Sequence, residues 1–268
     1  MGGLVAELKA LFIGDVFGDL GRKAVGVLLP GMREEYEADI VLANCENASS
    51  KGSGISSNNA KELFESGVDV ITMGNHCWRN NDVVALMEDC DRIVRPANYP
   101  SESPGTGSVV IETGCGNVGV INVLGRIFMD CVDCPFKAVD REIGALSNLT
   151  NIIIIDMHAE ASSEKCAMAH YVDGRASFVA GTHTHVQTAD ERVFPQGTGF
   201  ITDIGMTGPH DGVIGIDKNV ILKKFIRVMP VRFDPAKGRA QFNAVVVDID
   251  DVTGKTIDIV RISKVLTV

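Results

Sequence analysis

Val179-Ala-Gly-Thr-His183-Thr-His185-Val186 is a short apolar run that passes through a glycine and then carries two histidines one residue apart. It reads as a metal site at a strand end. In an extended segment, side chains at i and i+2 project to the same side, so His183 and His185 are expected to present two imidazoles to one space. Imidazole is the commonest protein ligand for divalent transition metals. A pair of surface histidines in a polar turn fits an isolated His-x-His equally well, so the decision falls to what else converges there.

Four other apolar runs end the same way. Leu8 to Ile13 reads as a strand that stops at Gly14-Asp15 and leads into a helix from Arg22 to Leu29, which Pro30-Gly31 is expected to break before it resumes through Tyr36. The glycines there are not spaced as G-x-G-x-x-G, and no Walker A sequence occurs. Ile40 to Ala43 is a second strand, ending in Asn44-Cys-Glu46-Asn47 before a Ser/Gly-rich loop. Asn58 to Ser66 reads as a helix closed by Gly67, and Val68 to Thr72 as a strand ending in Gly74-Asn75-His76-Cys77-Trp78. Asn151 to Ile155, a continuous isoleucine run, leads into Asp156-Met-His158-Ala-Glu160, with a helix from about Ser162 to Tyr171. Between these, Asp82 to Glu88 and a stretch after Pro135 read as helical, and Ser108–Ile111 with Val118–Val123 as a hairpin through Gly114-Cys-Gly116. Stretches near Val228 to Phe233, Gln241 to Ile249 and Thr256 to Ile262 are expected to form an antiparallel closing sheet.

Asp15, Glu46 with Asn47, Asn75 with His76, His158, and His183 with His185 therefore fall just beyond the carboxyl ends of five expected strands. In α/β folds that edge is where sites are assembled. A single Asp or Asn after a strand is usually a cap or turn residue; five such loops with oxygen and imidazole donors are hard to obtain from capping alone. The fold class is α/β, and a chain of 268 residues is expected to form one domain, residues 1–268, since single domains of this class run to roughly 200 to 250 residues.

Composition narrows the function. Hydrophobic residues make up 45% and charged residues 22%, enough for a sizeable core. The longest apolar runs are far shorter than a membrane span, and Met1 to Lys9 lacks the pattern of a signal peptide, so no membrane partner and a cytoplasmic location are expected. A formal charge of -10 argues against stable binding to long nucleic acid, whose affinity comes mainly from Lys and Arg on phosphates. Seven scattered cysteines do not form a secreted disulfide framework, and Cys131-Val-Asp-Cys134 lacks the second pair of a zinc site.

In order and spacing these motifs resemble the calcineurin-like dinuclear metallophosphoesterases and, within them, the YmdB-type bacterial phosphodiesterases. The residues that carry the likeness are Ile13-Gly-Asp15, Asn44-Cys-Glu-Asn47, Gly74-Asn-His76 with Trp78, Arg95-Pro-Ala-Asn-Tyr-Pro100, Asp156-Met-His-Ala-Glu160 with Ser163-Glu164-Lys165, Gly181-Thr-His-Thr-His185 and Met206-Thr-Gly-Pro-His210. Glu46, where much of the superfamily uses Asp, points to the YmdB-like branch. Cys77 and Arg79 stand where the family commonly has Thr and Asp. The resemblance implies an α/β sandwich with its metal site at the carboxyl ends of the strands. It puts Asp15, Asn47 and His185 on one metal, Asn75, His158 and His183 on another, Glu46 between both, and His76 beside the substrate phosphate as the catalytic side chain.

Two divalent cations about 4 Å apart need an anionic bridge. With Asp15, Glu46 and a bridging hydroxide the centre keeps a net positive charge suited to a phosphodiester. The mechanism so implied is two-metal hydrolysis, in which a bridging water is activated for in-line attack on phosphorus. Donors of O and N type suit two ions of Mn, Fe or Zn. The substrate implied by the family is a small phosphodiester, with 2',3'-cyclic nucleotides the leading candidate. A metallophosphatase acting on monoesters and a metal-containing nucleotide-binding regulator are the alternatives. Self-association into a homo-oligomer is left open. His170 reads as structural; His210, Arg95 and Asn98 are each compatible with the pocket or with shaping a loop.

Overall fold

Alternation along Glu7–Ile13 decides the layering: Leu8, Ala10 and Phe12 enter one core while Leu11 and Ile13 enter another, because successive side chains of a strand point to opposite faces. In the computed structural model, which describes residues 7–267, this strand β1 (Glu7–Ile13) is followed by β2 (Asp15–Val16), α1 (Gly18–Glu35), β3 (Ile40–Asn44), α2 (Ser57–Glu65), β4 (Val70–Thr72), α3 (Asp82–Asp89) and β5 (Ile93–Val94). Next come β6 (Ser108–Thr113), β7 (Gly116–Leu124), α4 (Pro135–Leu146), β8 (Ile152–His158), α5 (Ser162–Tyr171), β9 (Phe178–Thr182), β10 (Arg192–Val193) and β11 (Gly199–Ile201). The last elements are β12 (Met206–Pro209), α6 (Lys218–Arg227), β13 (Ala240–Asp250) and β14 (Thr256–Leu266). Residues 1–6 of the stretch read for a signal peptide lie outside the described residues.

Two sheets face each other. One has the order β2-β12-β13-β1-β3-β4-β5 with β14 on β13; the other has β10-β11-β9-β8-β7-β6. Phe12, Leu42 and Val70 of the first interlock with Val120, Ile154 and Phe178 of the second in a shared central core. On the outer face of the first sheet, Val25 and Leu29 of α1, Leu63 of α2 and Val83 of α3 cover Leu11, Val41 and Ile71. On the outer face of the second, Val139 and Ile143 of α4 and Met168 of α5 cover Ile121, Ile153 and Val179. The result is the expected α/β sandwich, in layers α, β, β, α. Strands β1, β3, β4 and β5 run parallel, as do β7, β8, β9 and β11, which sends the carboxyl ends of β1, β3, β4, β8 and β9 to the site.

Three local expectations need correction. Helix α1 runs unbroken through Pro30. Gly26, whose carbonyl loses the Pro30 amide as a partner, and Pro30 itself are both exposed, so the missing bond does not leave a polar group buried without a partner. The segment Val228–Phe233 is no strand: α6 ends at Val228 in a left-handed conformation (φ 53°), and Val228, Met229 and Phe233 are exposed, Val228 by 88%. The signal overlooked was Asp217, an N-cap whose carboxylate accepts from the amides of Asn219 and Val220. Finally, β13 and β14 do not close the fold as a separate sheet, for β13 inserts beside β1 and pairs with all of Glu7–Ile13.

Candidate metal centre

Each donor is placed by the end of a buried strand. Beyond β1, Gly14 presses on the carbonyl of Gly205, leaving no room for a Cβ. The chain can then hydrogen-bond from Gly14 to Asn243 and from Asp15 to Gly205, which seats Asp15 in the interior, fully buried. Glu46 and Asn47 follow β3 and are buried; Asn75 and His76 follow β4; His158 is the last residue of β8; and His183 and His185 follow β9. Gly74 admits no side chain either, because a Cβ there would collide with Glu46 Oε2 and His158 Nε2.

The seven expected ligands come together, in two groups around Glu46. In one group, His185 Nε2 lies 3.2 Å from Asn47 Nδ2 and 3.7 Å from Asp15 Oδ1. In the other, His158 Nε2 lies 3.1 Å from both Asn75 Oδ1 and His183 Nδ1. Glu46 Oε1 stands between them, 3.1 Å from Asn47 Nδ2 and 3.3 Å from His158 Nε2. Among the described residues, Glu46, His158 and His183 alone offer three donor atoms within 4.8 Å of one another.

The two histidines of the opening stretch reach this cluster by another route than an extended His-x-His. Both have positive φ, 96° at His183 and 66° at His185, a conformation uncommon outside glycine. The intervening Thr184 is held by Asp203, which accepts from its amide at 3.1 Å and its hydroxyl at 2.6 Å. Asp203 is in turn paired, fully buried, with Lys165 Nζ at 2.7 Å. The bent backbone sends the two rings to different groups.

Every histidine of the cluster has its outer ring nitrogen engaged by a neutral or acidic acceptor. His158 Nδ1 meets Thr182 Oγ1 at 2.9 Å, and that hydroxyl donates to Asp156 Oδ1 at 2.6 Å. His183 Nε2 meets Glu160 Oε2 at 3.1 Å. His185 Nδ1 meets the carbonyl of Ile214 at 3.1 Å. An N–H fixed outward leaves the other nitrogen's lone pair facing inward, the tautomer a metal ligand needs. Asn44, Thr72 and Thr182 all donate to the buried Asp156. These supporting residues were not singled out from the sequence, since nothing local distinguishes such Thr and Asn residues from ordinary strand positions.

Electrostatically the centre is poised for cations. Burial pushes the Asp15 carboxyl up to about 6, only partly offset by His185 and His158. Burial also opposes ionisation of Glu46, yet the charges and hydrogen bonds of His158 and His76 outweigh it and hold that carboxyl well below its usual range. His158 would be lowered by burial, but Glu46, Asp15 and Asp156 raise it to about 9. His183 is depressed to about 3, first by burial and then by its neighbour His158.

His76 stands at the mouth. Its amide donates to Glu46 Oε2 at 2.8 Å and its Nδ1 faces Asn47 Oδ1 at 2.7 Å, leaving Nε2 without a hydrogen-bond partner among the described residues. With Glu46, His183 and His185 it lines a pocket of about 510 Å³. The remaining candidates lie elsewhere. Arg95 donates to the carbonyls of Pro96, Ser103 and Pro104, and Asn98 bonds both ways with the backbone of Leu124, so each ties down a loop. His210 lines a neighbouring cavity and bonds Gln241; His170 packs on Phe194.

A family model for YmdB-like proteins matches residues 11–262. The chain belongs to the YmdB-like family. It is 45% identical over 255 residues to a 2',3'-cyclic-nucleotide 2'-phosphodiesterase of Bacillus subtilis (strain 168), across 95% of this chain and 96% of that protein. A crystal structure of a hypothetical protein from Thermus thermophilus superposes with a TM-score of 0.90 at 41% identity, over 97% of this chain and 100% of the other. A phosphatase from Mycoplasma pneumoniae does so with a TM-score of 0.91 at 34% identity, over 98% and 95%. The family inferred from the motifs is the family these matches show.

The donor set of this YmdB-like chain suits divalent metal. Among the described residues, Asp15 Oδ1 is buried and has no hydrogen-bond partner, a costly state for a carboxylate oxygen that a cation would satisfy. The departure at Cys77 does not touch the pocket: its side chain is buried in the core beneath α3, where burial pushes the thiol far above its usual range, and Arg79 points to solvent.

Proposed function

We propose that the chain is a metal-dependent phosphodiesterase hydrolysing small phosphodiesters, 2',3'-cyclic nucleotides foremost, with the whole chain acting as one catalytic domain. The observation that carries this reading is the set of three histidines, each with one ring nitrogen bound outward and the other turned to the gap around Glu46. On this reading Asp15, Asn47 and His185 hold one divalent ion, Asn75, His158 and His183 hold a second, and Glu46 holds both. Such ions, Mn, Fe or Zn by donor type, supply an activated water and positive charge for the phosphoryl oxygens.

The chain's own residues do the rest. Neutral Asn47 and Asn75 complete the ligand set without adding negative charge, so an anionic diester is still attracted. In a 2',3'-cyclic phosphate a bond from water oxygen to phosphorus forms, the bond from phosphorus to O2' breaks, and O2' takes a proton to leave a 3'-monoester. His76 donates its Nδ1–H to Asn47 Oδ1, so with its ring protonated on both nitrogens it can hand that proton to O2' from Nε2. With a formal charge of -10 the partner is a small nucleotide rather than long nucleic acid. No helix among the described residues is long and apolar enough to cross a membrane. The cytoplasm, where seven cysteines stay as thiols, is the proposed place of action.

Metal-replete protein assayed on 2',3'-cyclic nucleotides, nucleoside monophosphates and p-nitrophenyl esters tests the proposal. Fastest turnover is expected on the cyclic nucleotides, with 3'-monophosphates as products. Preference for monoesters would replace it with a phosphatase, and tight nucleotide binding without turnover would replace it with a regulator.

A further inference from the structure

Beside the histidines, part of the wall of the same pocket is apolar. Phe233 and Ile214 line it, 45% and 51% exposed, with Phe17 at its floor. Water-facing side chains of this kind usually lie scattered; here they share one cavity with the donor cluster, and a volume of about 510 Å³ is in the range of a whole small-molecule ligand. A phosphodiester group alone leaves most of that space, and all of that wall, unfilled.

Ile214 is held there against its own preference. Val213 and Ile216 exchange both backbone hydrogen bonds, at 2.8 and 3.0 Å, around a two-residue turn in which Ile214 has φ 44° and Gly215 φ 96°. That turn favours Asn or Gly at its first position, and a β-branched residue at positive φ is a genuine outlier. Strain of this kind persists where the surroundings enforce it and clusters at ligand sites. The same residue's carbonyl engages His185 Nδ1, so the apolar wall and the donor cluster are built as one unit. Phe233 carries Lys224 Nζ over its ring at 4.5 Å, and Lys51 stands at the pocket's edge.

We infer that Phe233 and Ile214 form the subsite that receives the nucleobase, with the phosphate held at the histidines. This rests on the phosphodiesterase reading for the identity of the phosphate end. An aromatic face beside an aliphatic one accepts any base by stacking and burial and offers no hydrogen-bond code, so the subsite selects for a base while discriminating weakly among bases.

The test is calorimetric binding of adenosine 3'-monophosphate and of base-free 1-O-methylribose 3-phosphate to the metal-replete full chain, compared with Phe233→Ala and Ile214→Gly. Glycine suits φ 44°, so Ile214→Gly is expected to fold. Each variant is expected to weaken the adenosine ligand about tenfold while changing the base-free ligand by less than about twofold. Equal wild-type affinity for the two ligands, binding of neither, or a parallel loss of both in the variants would overturn the subsite. Base-dependent binding lost in the variants, combined with no turnover of cyclic nucleotides, would keep the subsite and remove the phosphodiesterase reading. Turnover without base dependence would do the reverse.

Discussion

The hydroxyl of Thr182 stands 2.9 Å from Nδ1 of His158, and it donates its own proton to Asp156 at 2.6 Å. It is therefore free only to accept from His158. Asn44 Nδ2 also approaches that nitrogen, at 3.3 Å, but its two hydrogens go to Met73 O and Asp156 Oδ2. The chain from Asp156 through Thr182 thus fixes where the imidazole proton sits.

Thr182→Val keeps the shape of the side chain and removes that acceptor. Metal affinity should fall by about 10- to 100-fold, as when such supporting partners are lost elsewhere, with the fold retained. Metal titration beside a thermal melt checks it; unchanged affinity would show that the proton's position is set elsewhere.

Glu46→Gln retains size and loses the charge between the two donor groups. The variant should fold but fail to hold two ions together, and turnover should be abolished. Elemental analysis showing two ions per chain together with wild-type turnover would remove Glu46 from the bridging role.

His76→Ala should cut turnover of a cyclic nucleotide by about 10² to 10⁴-fold, the usual worth of a positioned general acid, while metal content stays. The loss should shrink for a p-nitrophenyl diester, whose leaving group needs little protonation. Equal losses on both substrates would make His76 a binding residue only.

The metal-free protein should lose stability as pH rises from about 6.5 to about 9. In that window folded His158, raised to about 9 from its ordinary 6.5, holds a proton that the unfolded chain has released. The unfolded state then binds fewer protons and stability falls with pH. Depressed His183 acts oppositely, but only below about 6.5. Metal uptake should release the His158 proton, which calorimetry in buffers of different ionisation enthalpy detects. Melting temperatures rising across this window would contradict the assignment.

Lys165→Met leaves Asp203 buried without its cation and should cost about 3–5 kcal/mol, as for other broken buried pairs. Urea unfolding measures it. Stability within experimental error of wild type would show that Thr184 and Gly205, which also donate to Asp203, suffice.

The layers and the ligand cluster were legible because their signals are local. Apolar runs such as Ile152–Ile155 announce buried strands, and a short polar donor after each of five runs needs only parallel strands to converge. What escaped the reading is set by distant partners. The route of His183 and His185 into the site depends on Asp203 and Lys165, from other elements, bending the backbone at Thr184. Thr182, Glu160 and Ile214 orient rings they do not adjoin in a way that composition reveals. Val228–Phe233 looks like a strand by residue type, yet it pairs with no strand among the described residues and leaves Val228, Met229 and Phe233 exposed.

Strand β13 lies between β12 and β1 in the first sheet, so the strand that positions Asp15 has its inner neighbour some 230 residues further along the chain. On a ribosome, synthesis at about 5–20 residues per second leaves one edge of β1 open for at least ten seconds before Ala240–Asp250 emerges. The nascent chain carries an unsatisfied strand edge until Ala240–Asp250 is made and pairs with Glu7–Ile13.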